Sequence, residues 1–301
     1  MKGKTNWRSQ QRNAWLAGLM PSIILLVVIT LLPAMALIIT SLTPLSLTNP
    51  QETFNFSDPL INYRQLLEDP RFLNSIITQI KLSLVSVLFQ VIIGLGLALL
   101  LNGTSAWLHT ARTLFLIPMV LPPIIVALIW KIIYTPDISP LHQVLELWGI
   151  TLNSLIANPA TALWAIAVAD IWQWFPFTML MVLAALQMIP RDPLEAASLD
   201  GASARNIFRY IVLPYIKPVL VVCALFRLID SFKAFPLIYI LTDGGPGTVT
   251  EVTNYYGFIQ AFNFSYWGYG SAIAVVILVG VFVLSYIIGK AGWSDERKAS
   301  A

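Results

Sequence analysis

Ionisable side chains stand inside two of the long apolar runs of this sequence. One run carries Asp170 and Gln173 among Trp172, Trp174, Phe175 and Phe177; the other carries Arg227, Asp230, Ser231 and Lys233. A charge near the middle of a bilayer costs about 2.5–3.5 kcal/mol on insertion scales, so a retained one asks for a partner or a function. Arg227, Asp230 and Ser231 are spaced i, i+3, i+4, and Lys233 follows Asp230 by three, which gathers them on one side of a helix. Two readings follow. One is an internal ion-pair network, Arg227 with Asp230 or Asp170 with Lys233, that clasps helices together. The other is a polar cavity with aromatic walls, where planar hydrogen-bonding groups meet hydroxyls and ring faces meet the apolar side of a ligand. The two are compatible, because paired charges keep spare donors and acceptors. Lys81 and Lys131 lie nearer the span ends and are expected to snorkel.

Such residues need helices that cross a bilayer to position them. Of 301 residues, 57% are hydrophobic and 11% charged, against about 45–50% and about 25% in a soluble domain. The mean hydropathy is +0.75. A membrane helix needs about 20 apolar residues, and six stretches qualify: 15–42, 73–101, 112–134, 159–188, 213–241 and 268–290. The expected fold is an all-α membrane protein with six transmembrane helices, a span domain over 15–290, an N-terminal segment 1–14 and a tail 291–301. Cations set the orientation. Lys2, Lys4, Arg8 and Arg12 precede the first run; Arg112, Arg191, Arg205, Arg209 and Lys217 fall in alternate loops; Lys290, Arg297 and Lys298 follow the last. The other loops hold only Arg64 and Arg71 beside many carboxylates, so both termini are expected to be cytoplasmic. Ala34-Met35-Ala36 resembles a cleavage site, but the apolar run continues through Leu37, Ile38 and Ile39, so a true span is expected rather than a leader.

Several chemistries are excluded. One Cys and two His cannot build a disulfide, a zinc cluster or a redox pair. No G-x-x-x-x-G-K-[ST] loop exists to cradle phosphates, and no nucleophile–base constellation can be assembled. The chain is expected to be no enzyme, to hold no metal and no cofactor of its own, and to bind no nucleic acid.

One polar island remains, EAASLDGASARNIFRYIVLPYIKP at 195–218. Asp192 as N-cap, Pro193 in the first turn and Glu195 three residues on read as a capping box. Gly201 is a natural terminator, Ser203 can cap a second helix through Ile207 and Phe208, and Pro214 marks the next span. By local physics this is either a capped connector or a docking element whose small Ala196 and Ala197 permit close approach.

Glu195-Ala196-Ala197, Gly201 and Ile211-Val212-Leu213-Pro214 at this spacing resemble the EAA motif of binding-protein-dependent ABC importer permeases, the MetI-like family. "LTDGGPGTVTE" (241–251) and the run 112–134 resemble the carbohydrate-uptake branch of that family. The resemblance implies a MetI-like permease fold whose cytoplasmic loop 190–214 is a coupling helix pair, with Glu195, Ala196, Ala197 and Gly201 against an ATPase subunit. It implies a second, similar permease chain as heterodimer partner, a dimer of ATPases that binds the ATP and Mg, an extracytoplasmic substrate-binding protein, and a multi-pass place in the bacterial plasma (inner) membrane. Trp172, Pro176, Pro190, Pro214 and Thr242-Asp243-Gly244-Gly245-Pro246 align with the sugar-binding subunit of the maltose permease type. On that alignment the sugar-contacting positions are Asp170, Gln173, Trp174, Phe177, Arg227, Asp230 and Ser231, mostly with other residue types. The implied cargo is a di- or oligosaccharide or related polyol, moved by alternating access. Glycerol-phosphate-type uptake is the near alternative, which Asp170 and Asp230 would oppose. An ion-coupled secondary transporter is the distant one.

Overall fold

The computed structural model describes residues 7–48, 55–149 and 153–299. In chain order its helices are α1 (Trp7–Ser41), α2 (Ile61–Glu68), α3 (Pro70–Leu100), α4 (Ala106–Val120), α5 (Pro123–Tyr134), α6 (Pro140–Leu147) and α7 (Ala162–Gln187). There follow α8 (Arg191–Leu199), α9 (Ala204–Ile207), α10 (Leu213–Ser231), α11 (Phe235–Leu241), α12 (Thr253–Phe258) and α13 (Trp267–Ala299). The chain divides into two compact units, 1–68 with 257–276, and 69–256 with 277–301.

Among the described residues, five helical stretches are long and apolar enough to cross a membrane: Trp15–Ser41, Pro70–Leu100, Ala162–Gln187, Ala204–Ser231 and Trp267–Ile287. The remaining run, 112–134, is not one straight helix. It is α4 and α5, bent 95° apart, and it makes a sixth span only as a broken pair. The cause is Leu121-Pro122-Pro123. A proline has no N–H to donate and pushes the residue before it to extended backbone, and Leu121 and Pro122 have ψ 136 and 138. The expected span 213–241 is also redrawn. Its helix begins at Ala204 and ends at Ser231, and α11 follows after a turn through 232–234. Pro236 sits in the first turn of α11; its ring would collide with the carbonyl four residues back if the longer helix continued.

In the second unit α7 packs along α3, and α10 lies against both. The α3–α7 approach is close at Gly94, where a Cβ would stand 2.6 Å from Thr178 Cβ and 2.8 Å from Met179 N. At one end of these helices Ala98, Leu101, Met179, Val182, Leu186 and Ile216 form an apolar core. The α3 start is fixed locally: Asp69 caps it by accepting from Arg71 N at 2.9 Å, with Pro70 at the first position.

Candidate functional site

The side of α3 that meets α7 and α10 carries a buried polar row, Gln79, Ser83, Ser86 and Gln90. These positions recur at helical spacing, so all fall on one stripe of a largely apolar helix. Gln90 is the joint of the site. Its Nε2 donates to the Asp170 carboxylate at 2.8 Å and to the Asp170 carbonyl at 3.2 Å, while its Oε1 accepts from Arg227 Nε at 2.9 Å. Arg227 also donates to Asp230 at 2.6 Å and lies 3.9 Å from the Asp170 carboxylate. Its guanidinium covers the Trp174 ring, 4.4 Å from the centroid, a cation–π arrangement. One turn on, Ser231 donates to Ser83 at 2.7 Å, and Gln79 donates to Ser83 and to the Ser231 carbonyl. Three helices are thereby joined through side chains that would each be costly to bury alone.

Exposure divides this cluster into two parts. The side chains of Arg227 and Asp170 are 4% and 5% exposed, whereas Asp230 is 36% and Lys233 is 74% exposed. Lys233 reaches Asp230 at 3.6 Å from the turn beyond the helix end. The buried part is a clasp. The open part presents a carboxylate, an ammonium and the half-buried Trp174 indole, with opposite charges balanced.

The expected pairing of Asp170 with Lys233 is not made; Asp170 is held by Gln90 and Arg227 instead. Asp170, Trp174, Arg227, Asp230 and Ser231 are brought together. Gln173 is not with them. It donates to the Leu121 carbonyl at 3.2 Å, next to the break between α4 and α5, and its Oε1 is buried without a partner. Phe177 is half-buried, and no described hydrogen bond or ring contact ties it to the network. Its neighbours Trp172 and Phe175 look elsewhere, onto an apolar groove of about 520 Å³ that Phe89, Trp130 and Trp164 also line. The α3 row was missed in the sequence because it carries no charge. Its signal was the spacing of two glutamines and two serines at period 3.6.

The polar island folds as two helix starts. α8 begins at Arg191, two residues before the expected point, so Asp192 and Pro193 stand within its first turn and Asp192 is not the cap. Pro190 and Pro193 both suit that turn, where N–H groups have no helical acceptor. Its end is closed by Gly201 at φ +75, with Gly201 N donating to the Ser198 carbonyl at 3.2 Å and Ala202 N to the Ala197 carbonyl at 2.9 Å. That pair of bonds is a Schellman ending, which a left-handed glycine permits. Ser203 accepts from Asn206 N and starts α9. α9 does not end before the span; a π turn over Phe208–Val212 carries it into α10, Leu213 N donating to the Phe208 carbonyl. The widened turn accommodates Pro214 just beyond it. Leu194 packs on the apolar core beneath, while Glu195 and Ala196 face out and Leu199 is 89% exposed.

The loop after α11 is tied down to α3. Glu251, 1% exposed, accepts two bonds from Arg71, at 2.8 and 2.9 Å. Arg71 lies over the Tyr256 ring, and the Tyr256 hydroxyl donates to Asp69. Inside the loop Thr250 donates to the Gly245 carbonyl and Tyr255 to Asp243. Burial first, then that bond, holds the Tyr255 phenol above its ordinary pKa.

Against known proteins, residues 90–291 match the family described as binding-protein-dependent transport system inner membrane component. The trehalose/maltose transport system permease protein MalF of Thermococcus litoralis is 39% identical over 76% of this chain and 77% of its own length. The sulfoquinovosyl glycerol transport system permease protein SmoG of Agrobacterium fabrum is 36% identical over 86% and 83%. The trehalose transport system permease protein SugA of Mycobacterium tuberculosis is 32% identical over 95% and 91%. Among solved structures, a chain of a bacterial ABC transporter involved in the import of the acidic polysaccharide alginate has the same fold, with a TM-score of 0.81 at 22% identity over 96% of this chain and 98% of that one. Fold, span composition and these matches agree: this chain belongs to the inner-membrane permease family of binding-protein-dependent ABC transport systems.

Proposed function

We propose that this chain is the permease subunit of an ATP-driven importer for a neutral di- or oligosaccharide or related polyol, working by alternating access. The observation that carries the reading is the open end of the charged cluster, where Asp230 and Lys233 balance beside the Trp174 ring. Hydroxyl groups find acceptors and donors there without a net charge, and the indole face takes the apolar side of a sugar ring. The sugar-related names of the relatives support the class of cargo. Asp170, Arg227 and Ser231 shape the site from behind, and Gln173 and Phe177 extend it toward the break between α4 and α5 once helices shift.

Energy enters at 190–214. Ala196 and Leu199 leave an uncovered, low-profile apolar face on α8, and a partner ATPase carrying ATP and Mg presses there. Leu194 and the continuous α9–α10 path transmit that push to α10, which bears Arg227 and Asp230. Both termini lie in the cytoplasm, a second similar permease completes the pathway, and an extracytoplasmic binding protein delivers the cargo.

The test is a quantitative pull-down from gently solubilised membranes, wild type against Gly201→Asp. An ATPase and a second permease are expected to copurify with the wild type, and the ATPase to be lost from the variant. Emergence of the chain alone in both samples, under conditions that preserve a known importer complex, would sink the reading.

A further inference from the structure

A second cavity lies in the other compact unit, 1–68 with 257–276. Its volume is about 340 Å³, and Pro44, Ser46, Asn62, Gln65, Tyr266 and Tyr269 are among the residues that line it. The size lies in the range of small-molecule sites, about 300–1,000 Å³. It sits where α1 ends and α13 begins.

The walls are fixed before any ligand arrives. Gly268 N donates to the Leu45 carbonyl at 2.8 Å and Leu47 N to the Ser265 carbonyl at 3.1 Å. Ser46 donates to the same Ser265 carbonyl. Ser265 has φ +62, an uncommon conformation for a residue with a side chain, and these bonds hold it there. Asn62 spends both amide hydrogens inward, on the Ser41 and Thr43 carbonyls at 2.8 Å each, which leaves its Oδ1 as a spare acceptor. Gln65 and Tyr266 are exposed at the mouth, Tyr266 by 49%.

The chemistry of the lining selects among ligands. It holds two phenol rings, two carboxamides and a serine hydroxyl, and no charged side chain. A phospholipid headgroup would look for a cation to meet its phosphate, and a metal ion for carboxylate, imidazole or thiolate. Aromatic faces with neutral amides, one offering only its acceptor oxygen, suit a neutral polyhydroxylated ring. We infer that this cavity is a second carbohydrate subsite, holding roughly one sugar ring of the cargo. It rests on the proposed sugar import but uses none of the residues of the span cluster.

The test uses the assembled importer in nanodiscs with a neutral disaccharide bearing a diazirine, followed by peptide mapping. Labelling is expected on the peptides around 44–46, 61–65 or 266–269, competed by the unlabelled disaccharide. Tyr266→Ala with Gln65→Ala should weaken that labelling about tenfold, and Tyr266→Phe should retain most of it, while label around 170–177 and 227–233 persists in all variants. Label confined to the span cluster overturns the subsite alone. Label at the subsite that neither unlabelled sugar nor the double variant reduces also overturns it, as nonspecific capture. No competed label at either place overturns both the subsite and sugar import.

Discussion

At the scale of single residues, each charge in the cluster has its own environment and therefore its own expected phenotype. Asp230 is shared between Arg227 and Lys233 and is the more exposed of the two carboxylates, 36% against 5% for Asp170. Asp230→Asn removes an acceptor and leaves a net positive site. Uptake of a neutral disaccharide into proteoliposomes should fall about tenfold, and a sulfonated or uronic sugar should begin to compete. Unchanged uptake together with unchanged competition would place the ligand elsewhere. Arg227 is different, because it is buried between two carboxylates and a glutamine. Arg227→Leu strands Asp170, a loss of about 3–5 kcal/mol for a broken buried pair. The thermal midpoint of the purified complex should drop accordingly and should recover in part in Arg227→Leu with Asp170→Leu. A double variant no more stable than the single one would show that the pair is not what Arg227 serves.

At the scale of elements, two glycines act for different reasons. Gly94 is small because α3 and α7 meet there, with Thr178 and Met179 within 3 Å of any added Cβ. Gly94→Ala should destabilise the complex by about 1–3 kcal/mol through overpacking, seen as a lower melting point; an unaltered one would mean the helices part freely. Gly201 has open space around it, and its demand is conformational, φ +75. Gly201→Ala should cost about 1–2 kcal/mol in the ending of α8. Faster hydrogen exchange at the Gly201 and Ala202 amides is the readout, with Gly201→Asn milder because asparagine tolerates that region. The long α9–α10 path matters at the same scale. Because a π turn replaces a loop between α9 and the span, a displacement of α9 would reach α10 through helix rather than through slack chain.

At the scale of the molecule, bonds between residues far apart in the chain tie one end of the second unit together. The loop 242–256 is bound to the start of α3 by the bidentate Arg71–Glu251 pair and the Tyr256–Asp69 bond. Glu251 is buried, and both of its oxygens accept from Arg71. Glu251→Gln should leave a guanidinium short of its partner and speed protease cleavage within 242–251 in the intact complex, with the Arg227 cluster unaffected. Equal cleavage rates would show that the loop is held by its internal bonds to Thr250 and Tyr255 instead.

The sequence by itself determined the membrane character, the number and order of the apolar runs and the place of the polar island. Those features are one-dimensional: composition, run length and the turn chemistry of Gly201 and Ser203 act within a few residues of chain. It also marked Asp170, Arg227 and Asp230, because a charge in an apolar run is visible without knowing its neighbours. Only the tertiary structure decided who pairs with whom. Asp170 and Lys233 looked like partners by charge, yet Gln90 from a third helix took the carboxylate, since hydrogen-bond geometry across α3, α7 and α10 is fixed by packing at positions such as Gly94. Likewise Gln173 shared a helix with Trp174 but turned toward the Leu121 carbonyl freed by the Pro122-Pro123 break. A buried polar group goes to the nearest unsatisfied partner in space, and nearness in space across helices is what the order of residues along the chain does not contain.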